Sequence, residues 1–378
     1  MPHDDAPAPG TRTTELLPAV PEPLLTALAE TGSTFDLATA VPEPQDAPPL
    51  RWGIIGAGGI ASTFHWNVQA YSSGRVVAVG SRDVERAERF IAEHTPEGME
   101  RARGLGSYEE LVADPEVEAV YVATPHAFHA EHARLALEAG KPVLVEKSFT
   151  RNAAEARDLL TLARGRGLFA MEAMWTRFLP GQVLARHVLA SGLFGEPRHL
   201  RADHYQPISD VPRLARPDLA GGALLDLGVY PVSWIHSLLG APERVDAVGR
   251  LTESGVDLDE AVMLSYPRAT GVAASGMDSR SSTTAELVGT QGRLELANRF
   301  YGPTALRVHL EPRGDAPAVD AEWDASLPGG FQLQAAEVAR CLAEGRTESY
   351  VMPWSATIEV MDVLDAVRSR IGVVYPGE

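Results

Sequence analysis

The pattern of hydrophobic and polar residues changes character twice along the chain, near residue 50 and near residue 170. Residues 1–49 are rich in proline, alanine and acidic side chains. From residue 50 onwards, short runs of valine and isoleucine without polar alternation are separated by segments of helical spacing. Strands of this kind are buried on both faces, as in a parallel sheet with helices on each side. Residues 50–170 therefore predict a doubly wound α/β domain of the Rossmann type.

Residues 171–378 show a different order of elements. Several short strands follow one another, and two helical segments close the chain. Strands in a run with helices gathered at the ends indicate an α+β domain with an open, mainly antiparallel sheet. The helices cover one face of such a sheet and leave the other free to meet a second copy. We therefore expect a homodimer or homotetramer formed through the C-terminal sheet.

The same pattern gives approximate limits for the elements. In the first domain it predicts strands at 52–55, 76–80, 119–122 and 143–145, and helices at 60–71, 84–94, 108–113, 127–139 and 153–166. In the second it predicts helices at 182–191, 222–239, 331–344 and 355–370, and strands at 199–204, 244–252, 261–265, 271–275, 285–289, 293–297, 305–310 and 319–323.

The prefix of residues 1–49 gives weaker signals. Residues 21–30 have the composition of a short helix, whereas the proline-rich residues 41–49 indicate an extended or disordered chain. Two interpretations are a mobile tail and an arm packed on a partner subunit, and the composition favours the mobile tail.

Composition excludes several classes of function. The 378 residues include 33 basic and 51 acidic side chains, for a formal net charge of −18, which argues against nucleic acid or an anionic membrane as the main partner. The single cysteine allows no intramolecular disulfide, and no apolar run is long enough for a membrane span. The N-terminus lacks the pattern of a secretory signal. We expect a cytoplasmic protein.

The strongest motif follows the first predicted strand. It has the form G-x-G-x-x-[G/A] and leads into a helix, with the candidate cofactor-binding residues Gly56, Gly58, Gly59, Ile60 and Ala61. The first glycine permits a tight turn, the second lets the backbone approach a pyrophosphate, and the alanine lets the helix pack close to the strand. Because a strand precedes the motif and a helix follows it, we expect a dinucleotide site.

The tip of the second strand bears on the choice of coenzyme. Ser81 and Arg82 follow Gly80 there and suit a 2′-phosphate, since they offer a hydroxyl donor and a planar cation. NADP is therefore favoured, although the nearby Asp83 keeps NAD possible.

Two further strand tips lie on the same expected edge of the sheet. After the strand at 119–122 come the candidate cofactor-binding residues Thr124, Pro125, His126 and His129. Two histidines three apart are too few ligands for a metal site, so lining of the pocket or helix capping is favoured. After the strand at 143–145 come Glu146 and Lys147. A lysine beside a bound nicotinamide cation should have a lowered pKa and can serve in proton transfer, although a solvated lysine is the plain alternative.

The second domain supplies candidates of its own. Asp226 and Tyr230 are four residues apart on a predicted helix, and together with Lys147 they can move a hydroxyl proton. A buried tyrosine with a satisfied hydroxyl is the structural alternative. Trp175 and Arg177, just past the domain junction, are either substrate-binding residues or hinge packing.

Taken together, the motifs resemble the glucose–fructose oxidoreductase, inositol dehydrogenase and rhizopine catabolism (Gfo/Idh/MocA) family from about residue 50 to the C-terminus. The ordered set is GAGGIA, ATPHAFH, AGKPVLVEKS and GGALLDLGVY. Within the family, MEAMWTRFLP and the Ser-Arg strand tip are most similar to the dimeric dihydrodiol dehydrogenase and D-xylose dehydrogenase branch.

The resemblance implies NADP(H) on the Rossmann domain and a sugar or related diol as substrate. The lysine of the family's E-K-P motif falls on Lys147, the implied proton-transfer partner. Tyr230 stands where many relatives carry histidine and is the implied acid/base, with Asp226 orienting the substrate or tuning that tyrosine. Ser148 replaces the family's proline, so we expect a less fixed backbone at Lys147.

Two functional hypotheses follow. The first is an NADP-dependent dehydrogenase or reductase that acts on a hydroxyl or carbonyl group of a sugar or trans-dihydrodiol. The second is a regulatory protein of the same fold that binds NADP without turnover. The intact set of Lys147, Asp226 and Tyr230 favours the enzyme, because fold alone does not decide between them.

Overall fold

The computed structural model describes residues 7–314 and 317–378 of the chain. Their contacts form two compact units, each assembled from separate stretches of sequence. The first unit takes in the described part of residues 1–15 together with residues 43–175 and 328–358. The second takes in residues 16–42, the described part of residues 176–327, and residues 359–378. Within these described ranges, no helix combines the length and the apolar character needed to cross a membrane.

Residues 7–49 of the N-terminal prefix are folded, so the expectation of a mobile tail is wrong for this part. It contains two helices, α1 Glu22–Glu30 and α2 Leu37–Ala40. Leu24 and Leu28 lie four residues apart on one face of α1 and are almost completely buried in the second unit. In the same unit, Trp323 Nε1 donates to the carbonyl oxygen of Pro18 at 2.9 Å. A few leucines thus bury enough apolar surface to order the proline-rich residues around them.

The prefix also packs within the first unit. The Thr14 hydroxyl and N–H both donate to Glu43, at 2.6 and 2.9 Å. Arg12 forms a two-pronged ion pair with Asp46. These residues lie around a short 3₁₀ turn at Pro44–Asp46, within a segment that composition predicts to be extended or disordered. Local polar contacts supply the order that composition does not reveal.

The first unit is built on a six-stranded parallel sheet. Its strands are β1 Arg51–Ile55, β2 Arg75–Gly80, β3 Arg103–Leu105, β4 Ala119–Val122, β5 Val143–Glu146 and β6 Ala170–Ala173. They lie in the order β3-β2-β1-β4-β5-β6, and all neighbouring pairs are parallel. The order reverses between β1 and β4, and doubly wound proteins bind ligands at the carboxyl ends of the strands at this point.

Two of the six strands, β3 and β6, are not predicted by the hydrophobic pattern, each for a physical reason. β3 has three residues at the edge of the sheet and none of them is fully buried. β6 is buried throughout, but the carboxylate of Glu172 interrupts its apolar residues. A buried polar side chain with a partner makes a strand look like a loop in the sequence.

Helices flank this sheet on both sides. They are α3 Gly59–Tyr71, α4 Val84–His94, α5 Tyr108–Ala113, α6 His129–Glu138 and α7 Ala153–Arg166. Asp83, Ser107 and Asn152 cap α4, α5 and α7 by accepting from backbone N–H groups of the first turn. Phe64 of α3 stacks on Tyr121 of β4 with ring centroids 3.8 Å apart, which fixes α3 against the sheet.

The second unit contains an eight-stranded sheet and several helices. In chain order the elements are α8 Pro180–Ala190, β7 Pro197–Tyr205, a wide helical turn Leu224–Gly228 that continues into α9 Val229–Leu239, β8 Arg244–Leu251, β9 Asp257–Ser265, β10 Thr270–Gly276, β11 Ala285–Gly289, β12 Gly292–Leu296, β13 Ala305–Leu310 and β14 Val319–Asp324. Two helices follow: α10 Phe331–Ala343 of the first unit, and α11 Trp354–Ile371, whose residues are divided between the units.

The strands of this sheet lie in the order β14-β13-β12-β11-β7-β10-β9-β8. β7 and β10 are parallel, and the other neighbouring pairs are antiparallel. Burial alternates along β9 and β13, as expected for a sheet covered on one face. α9 packs on β7 and β10. The predicted architecture, a Rossmann domain with an open and mainly antiparallel C-terminal sheet, is confirmed.

The folded prefix leads to a stability prediction. Leu28→Ala is expected to lower the free energy of unfolding by about 3 kcal/mol, because it leaves a cavity at a fully buried position. Leu16→Ala makes the same chemical change in the prefix at a side chain that is 54% exposed, and it should stay within about 0.5 kcal/mol of the wild type. Urea unfolding followed by circular dichroism measures both. Equal, small effects would mean that α1 does not pack in solution.

Candidate functional site

The glycine turn after β1 has a backbone that only glycine permits at its first position. Gly56 has a φ of +109°, and a Cβ there would lie 2.7 Å from the Ala123 carbonyl oxygen. Gly58 and Gly59 face open space instead. α3 begins at Gly59 without a side-chain cap, so its first N–H groups are presented at the positive end of the helix dipole.

The rest of the motif continues into α3. Ile60 and Ala61 lie in its first turn, and Ala61 is fully buried, as expected of a small residue that lets the helix pack close to the sheet. An uncapped helix N-terminus behind a turn with three glycines is the kind of cradle that binds a diphosphate. The turn therefore fits the pyrophosphate of a dinucleotide.

The register of the sheet aligns three strand tips along one edge. Ile55 of β1 pairs with Val122 of β4, which pairs with Val145 of β5. The glycine turn, the turn after β4 and the segment after β5 therefore begin side by side. The sequence predicts this alignment for a doubly wound sheet, and the structure confirms it.

Two arginines, Arg82 and Arg86, lie at or near the tip of β2. Ser81 is buried and Arg82 is exposed, while Asp83 accepts from the Glu85 N–H and caps α4. Arg86, one helical turn after Arg82, donates from Nη2 to the carbonyl oxygen of Ala57 in the glycine turn at 3.3 Å. Sequence reasoning missed Arg86, although its four-residue spacing from Arg82 is a readable signal.

A group of rings lies close to this cation pair. His132 packs edge-on against Tyr108 with centroids 4.6 Å apart and lies 5.8 Å from Phe128. Its Nδ1 atom is 3.0 Å from the hydroxyl of Thr124. Burial lowers the pKa of His132; the nearby Glu131 and Glu109 oppose this shift, and Arg82 adds to it. Tyr108 lies on a different helix from His132, and sequence spacing gives no sign of that contact.

The two histidines after β4 have packing roles. The His126 ring meets His129 edge-on at 5.5 Å. His129 lies with Nε2 2.7 Å from the Thr124 carbonyl oxygen and Nδ1 2.9 Å from the Ser148 carbonyl oxygen, so it joins the turns after β4 and β5. Burial lowers the pKa of His129 to about 4, against the effect of the two carbonyl oxygens. Across residues 7–314 and 317–378, no group of three or more histidine, cysteine or acidic side chains is arranged to hold a metal ion.

The backbone at Lys147 is held by three side chains. The Lys147 N–H donates to Glu146 Oε2 at 3.2 Å, and the Phe149 N–H donates to Glu172 Oε1 at 3.2 Å. The third side chain is His129, whose buried imidazole contacts the Ser148 carbonyl oxygen. The Lys147–Ser148 peptide bond is cis. Hydrogen bonds on consecutive residues thus restrain this backbone, and the expectation that the serine leaves it less fixed stays a prediction.

Glu146 supports Lys147 in this arrangement. One of its carboxylate oxygens accepts from the Tyr121 hydroxyl and the other from the Lys147 N–H. The Glu146 side chain is only 3% exposed. These are the contacts of a supporting residue, so its predicted contact with the cofactor finds no support in the geometry.

Lys147 is unusual in this chain for a reason of composition. The sequence contains 31 arginines and only two lysines. The other lysine, Lys141, donates from Nζ to the carbonyl oxygens of Asp114 and Val117 at 3.0 and 2.6 Å. A chain that carries its cations as arginine thus keeps a lysine, whose amine can exchange a proton near neutral pH when its pKa is lowered, at the tip of β5.

Trp175 and Arg177 make packing contacts. In the first unit, Trp175 stacks on Phe331 with centroids 4.6 Å apart. In the second unit, Arg177 is 4% exposed and donates to the Ser233 hydroxyl and carbonyl oxygen. Its Nη2 also lies 3.1 Å from His236 Nδ1. The geometry favours packing, the alternative to the predicted substrate contact, most clearly for Arg177.

The second unit holds its own cluster of candidate side chains. Arg213 donates to Asp226 Oδ1 at 3.0 Å. Tyr230 packs against His204 and Tyr301, with centroids 5.3 and 5.0 Å away, and these two rings stack on each other at 4.1 Å.

Gln206 closes this ring cluster. Its Nε2 donates to the Tyr301 hydroxyl at 2.8 Å and lies 2.7 Å from His204 Nε2. Sequence reasoning predicted Asp226 and Tyr230 but missed His204, Gln206 and Tyr301. These three come from a strand and two loops, without any motif.

Comparison with protein-family models gives two matches along the chain. Residues 50–174 match an oxidoreductase family model with an NAD-binding Rossmann fold. Residues 183–295 match the model of the Gfo/Idh/MocA C-terminal domain.

The chain is also similar to characterised proteins over most of its length. It is 40% identical over 333 residues to human trans-1,2-dihydrobenzene-1,2-diol dehydrogenase, with 86% of this chain and 98% of the relative covered. It is 36% identical over 368 residues to D-xylose 1-dehydrogenase (NADP(+)) from Hypocrea jecorina, with 86% and 93% covered.

Among solved structures, it is similar to KijD10, a 3-ketoreductase from Actinomadura kijaniata, in complex with NADP and TDP-benzene. The TM-score is 0.72 at 29% identity, with 85% of this chain and 98% of that chain covered. The predicted family is confirmed, as is the predicted likeness to dihydrodiol and D-xylose dehydrogenases. From the motifs, the fold and these matches together, the chain belongs to the Gfo/Idh/MocA family of oxidoreductases.

Proposed function

We propose that the protein oxidises or reduces a CH–OH or carbonyl group of a sugar or trans-dihydrodiol with NADP(H). One observation carries the proposal: the register of β1, β4 and β5 brings the glycine turn and Lys147 to the same edge of the sheet. Relatives that include dihydrodiol dehydrogenases and a D-xylose dehydrogenase support the substrate class.

The coenzyme assigned here is NADP(H). Ser81 and Arg82 are suited to a 2′-phosphate, and Arg86 adds a second cation close to the glycine turn. Asp83, the residue that kept NAD possible, is engaged as the cap of α4. The D-xylose dehydrogenase and the KijD10 complex, both named with NADP, agree with this choice.

The proposal assigns the proton of the substrate hydroxyl to two side chains. When bound, the nicotinamide ring accepts or supplies the hydride. Lys147 Nζ and Tyr230 Oη take up or return the hydroxyl proton, as general acid and base. Asp226, already paired with Arg213, is assigned to orient the substrate. Lysine suits this task because an arginine does not give up its proton in proteins.

The ring cluster around Tyr230 supports a cyclic substrate. Tyr301, stacked on the buried His204, lies next to Tyr230, and an aromatic face of this kind can pack on the C–H face of a sugar or diol ring. Gln206 is placed between them with hydrogen-bonding capacity. Ring packing with a few polar contacts is the usual composition of a small-molecule site.

The coenzyme assignment predicts a selective loss of affinity. Arg82→Ala and Arg86→Ala should each raise the Kd for NADPH by about 10-fold and leave that for NADH within about twofold, because a charge-assisted contact to the 2′-phosphate is lost. Fluorescence titration measures both coenzymes. Arg89→Ala, an exposed arginine one turn further along the same helix, is the matched control. An equal loss of affinity for NADPH and NADH would contradict the assignment.

The proton-transfer assignment predicts a loss of turnover. Lys147→Met and Tyr230→Phe should each lower kcat by about 100-fold, because a general acid/base group is removed. NADPH absorbance is followed with pentoses, hexoses, lactones and trans-dihydrodiols. Lys141→Arg and Tyr350→Phe, away from both clusters, serve as controls. Unchanged turnover in both variants would reject the roles, and tight NADPH binding by a wild type that turns over nothing in the panel would favour the regulatory protein.

We also propose a homodimer formed through the open face of the eight-stranded sheet. Val248, Met263 and Val272 are 72%, 42% and 36% exposed on neighbouring strands of that face. Elsewhere on the face, charges pair internally, as Arg201 does with Glu286 and Arg307 with Glu322. A face with exposed apolar residues at one end and internal ion pairs elsewhere is suited to a second copy of itself.

Charge placed on that face should separate the copies. Met263→Lys together with Val248→Lys is expected to convert the dimer to a monomer, because two desolvated cations would face the same patch across the two-fold axis. Sedimentation velocity at micromolar concentration measures the mass. Tyr350→Lys alters another exposed hydrophobic residue, 83% exposed, and should leave the dimer intact. A monomeric wild type would reject the proposal.

A further inference from the structure

Two carboxyl groups lie buried beneath the turn that carries Asp226. Asp257, at the start of β9, is 0% exposed and accepts from the Leu224 N–H at 2.5 Å. Glu260, three residues later, is 2% exposed and accepts from the Ser275 hydroxyl. Among the residues that the structure describes, Asp257 Oδ1 and Glu260 Oε2 have no hydrogen-bond donor. A buried carboxylate oxygen without a donor costs free energy unless a proton fills the gap.

The two carboxyl groups also account for the glycines of the GGALLDLGVY motif. A Cβ on Gly222, where φ is +108°, would lie 2.2 Å from Asp257 Oδ1. A Cβ on Gly228 would lie 2.7 Å from Glu260 Oε1. One glycine before Asp226 and one after it thus make room for the same pair of acids. The turn that carries Asp226 therefore packs directly on the two carboxyl groups.

The sheet register connects the pair to the ring cluster. Glu260 of β9 pairs with Ser275 of β10, which pairs with His204 of β7. All three are buried on the same side of the sheet. His204 in turn packs against Tyr230. A continuous row of polar side chains therefore runs from the acids to the ring that stacks beside the proposed acid/base.

We propose that Asp257 and Glu260 share one proton, and that the resulting hydrogen bond holds the turn from Leu224 to Gly228, and with it Asp226 and Tyr230, in position. Glu260 carries the proton and donates it to Asp257. Asp257 stays ionised because it accepts from the backbone at the start of the turn. Both are positioning residues, and that part of the inference rests on the proposed function, whereas the shared proton does not.

The electrostatics around the pair agree with this assignment. Burial raises the pKa of Glu260 well above its usual value, and the neighbouring Asp257 raises it further. Burial also raises the pKa of Asp257, but backbone N–H donors from Leu224 and Ala223 oppose the shift. The other titratable or charged groups that face the pair are Asp259, Arg368, Tyr375, Tyr205 and His204.

Two of these groups have ion-pair partners of their own. Asp259 is paired with Arg250, and Arg368 with Asp365 and Glu378. These partners largely compensate the charges of Asp259 and Arg368. The negative charge of Asp257 and Glu260 themselves is therefore reduced mainly by the proton that the two share.

The sign of the pH dependence follows from the raised pKa of Glu260. The stability contributed by the shared proton is fully present below the unfolded pKa of about 4.3 and is lost as pH rises through the folded pKa. In Glu260→Gln an amide N–H replaces the proton, and it does not titrate. The melting temperature of Glu260→Gln minus that of the wild type should therefore increase steadily from pH 5 towards alkaline pH.

The experiment compares three variants by thermal melting and steady-state kinetics. Glu260→Gln should keep kcat within about twofold at neutral pH, whereas Glu260→Leu, which removes the hydrogen bonds of Glu260 with Asp257 and Ser275, should lower kcat about 10-fold with the Kd for NADPH unchanged. Glu322→Gln, the same change at an exposed position, should give a melting difference that does not vary with pH.

The outcomes separate the parts of the inference. A pH-independent melting difference for Glu260→Gln, or equal damage by Gln and Leu, overturns the shared proton. The pH-dependent difference together with full turnover in Glu260→Leu overturns the positioning role. The melting data remain decisive for the proton even if the wild type turns over no substrate, and that result counts against the proposed function alone.

Discussion

Close approach of the backbone to polar groups, at positions where a Cβ does not fit, sets the geometry of both candidate clusters. Gly56 passes the Ala123 carbonyl oxygen, and Gly222 and Gly228 pass the buried Asp257 and Glu260. At each position glycine costs conformational entropy on folding but allows the close contact. The glycine turn can then admit a diphosphate, and the turn with Asp226 can sit on two acids. Without these three approaches neither cluster would keep its shape.

After β5, where no glycine is involved, buried hydrogen bonds fix the backbone instead. The segment after β5 is fixed by Glu146, Glu172 and His129, each of which holds a different consecutive residue. Such bonds are strong in a low dielectric and costly to break, so they define one arrangement of the chain. The family's proline and the serine found here are thus two ways to restrain the same backbone. This places Lys147 on a firm support, as the proton-transfer role proposed for it requires.

Local signals made much of the fold predictable. The valine and isoleucine runs of β1, β2, β4 and β5, and the caps of α4 and α7, depend on neighbouring residues only. β6 was not predicted because the partners of its buried Glu172 are distant in sequence. The sequence leaves Arg177 open between substrate binding and packing, because its position near the junction is visible there whereas its contacts with Ser233 and His236 are not. The Asp257–Glu260 pair was invisible for the same reason, since its partners lie on the turn that carries Asp226 and on β10. Long-range pairing of polar groups is the part that sequence patterns do not carry.

The scarcity of lysine has a practical consequence for handling the protein. Reagents that attach dyes, cross-linkers or solid supports to side-chain amines find only Lys141, held by two carbonyl oxygens, and Lys147, which is 8% exposed. Labelling at Lys147 would act on the candidate site itself, whereas most proteins offer many harmless surface amines. The arginine-covered surface also keeps its positive charges well above pH 10, where a lysine surface would lose them. In chemical terms, the surface is nearly inert to amine chemistry and the site is not.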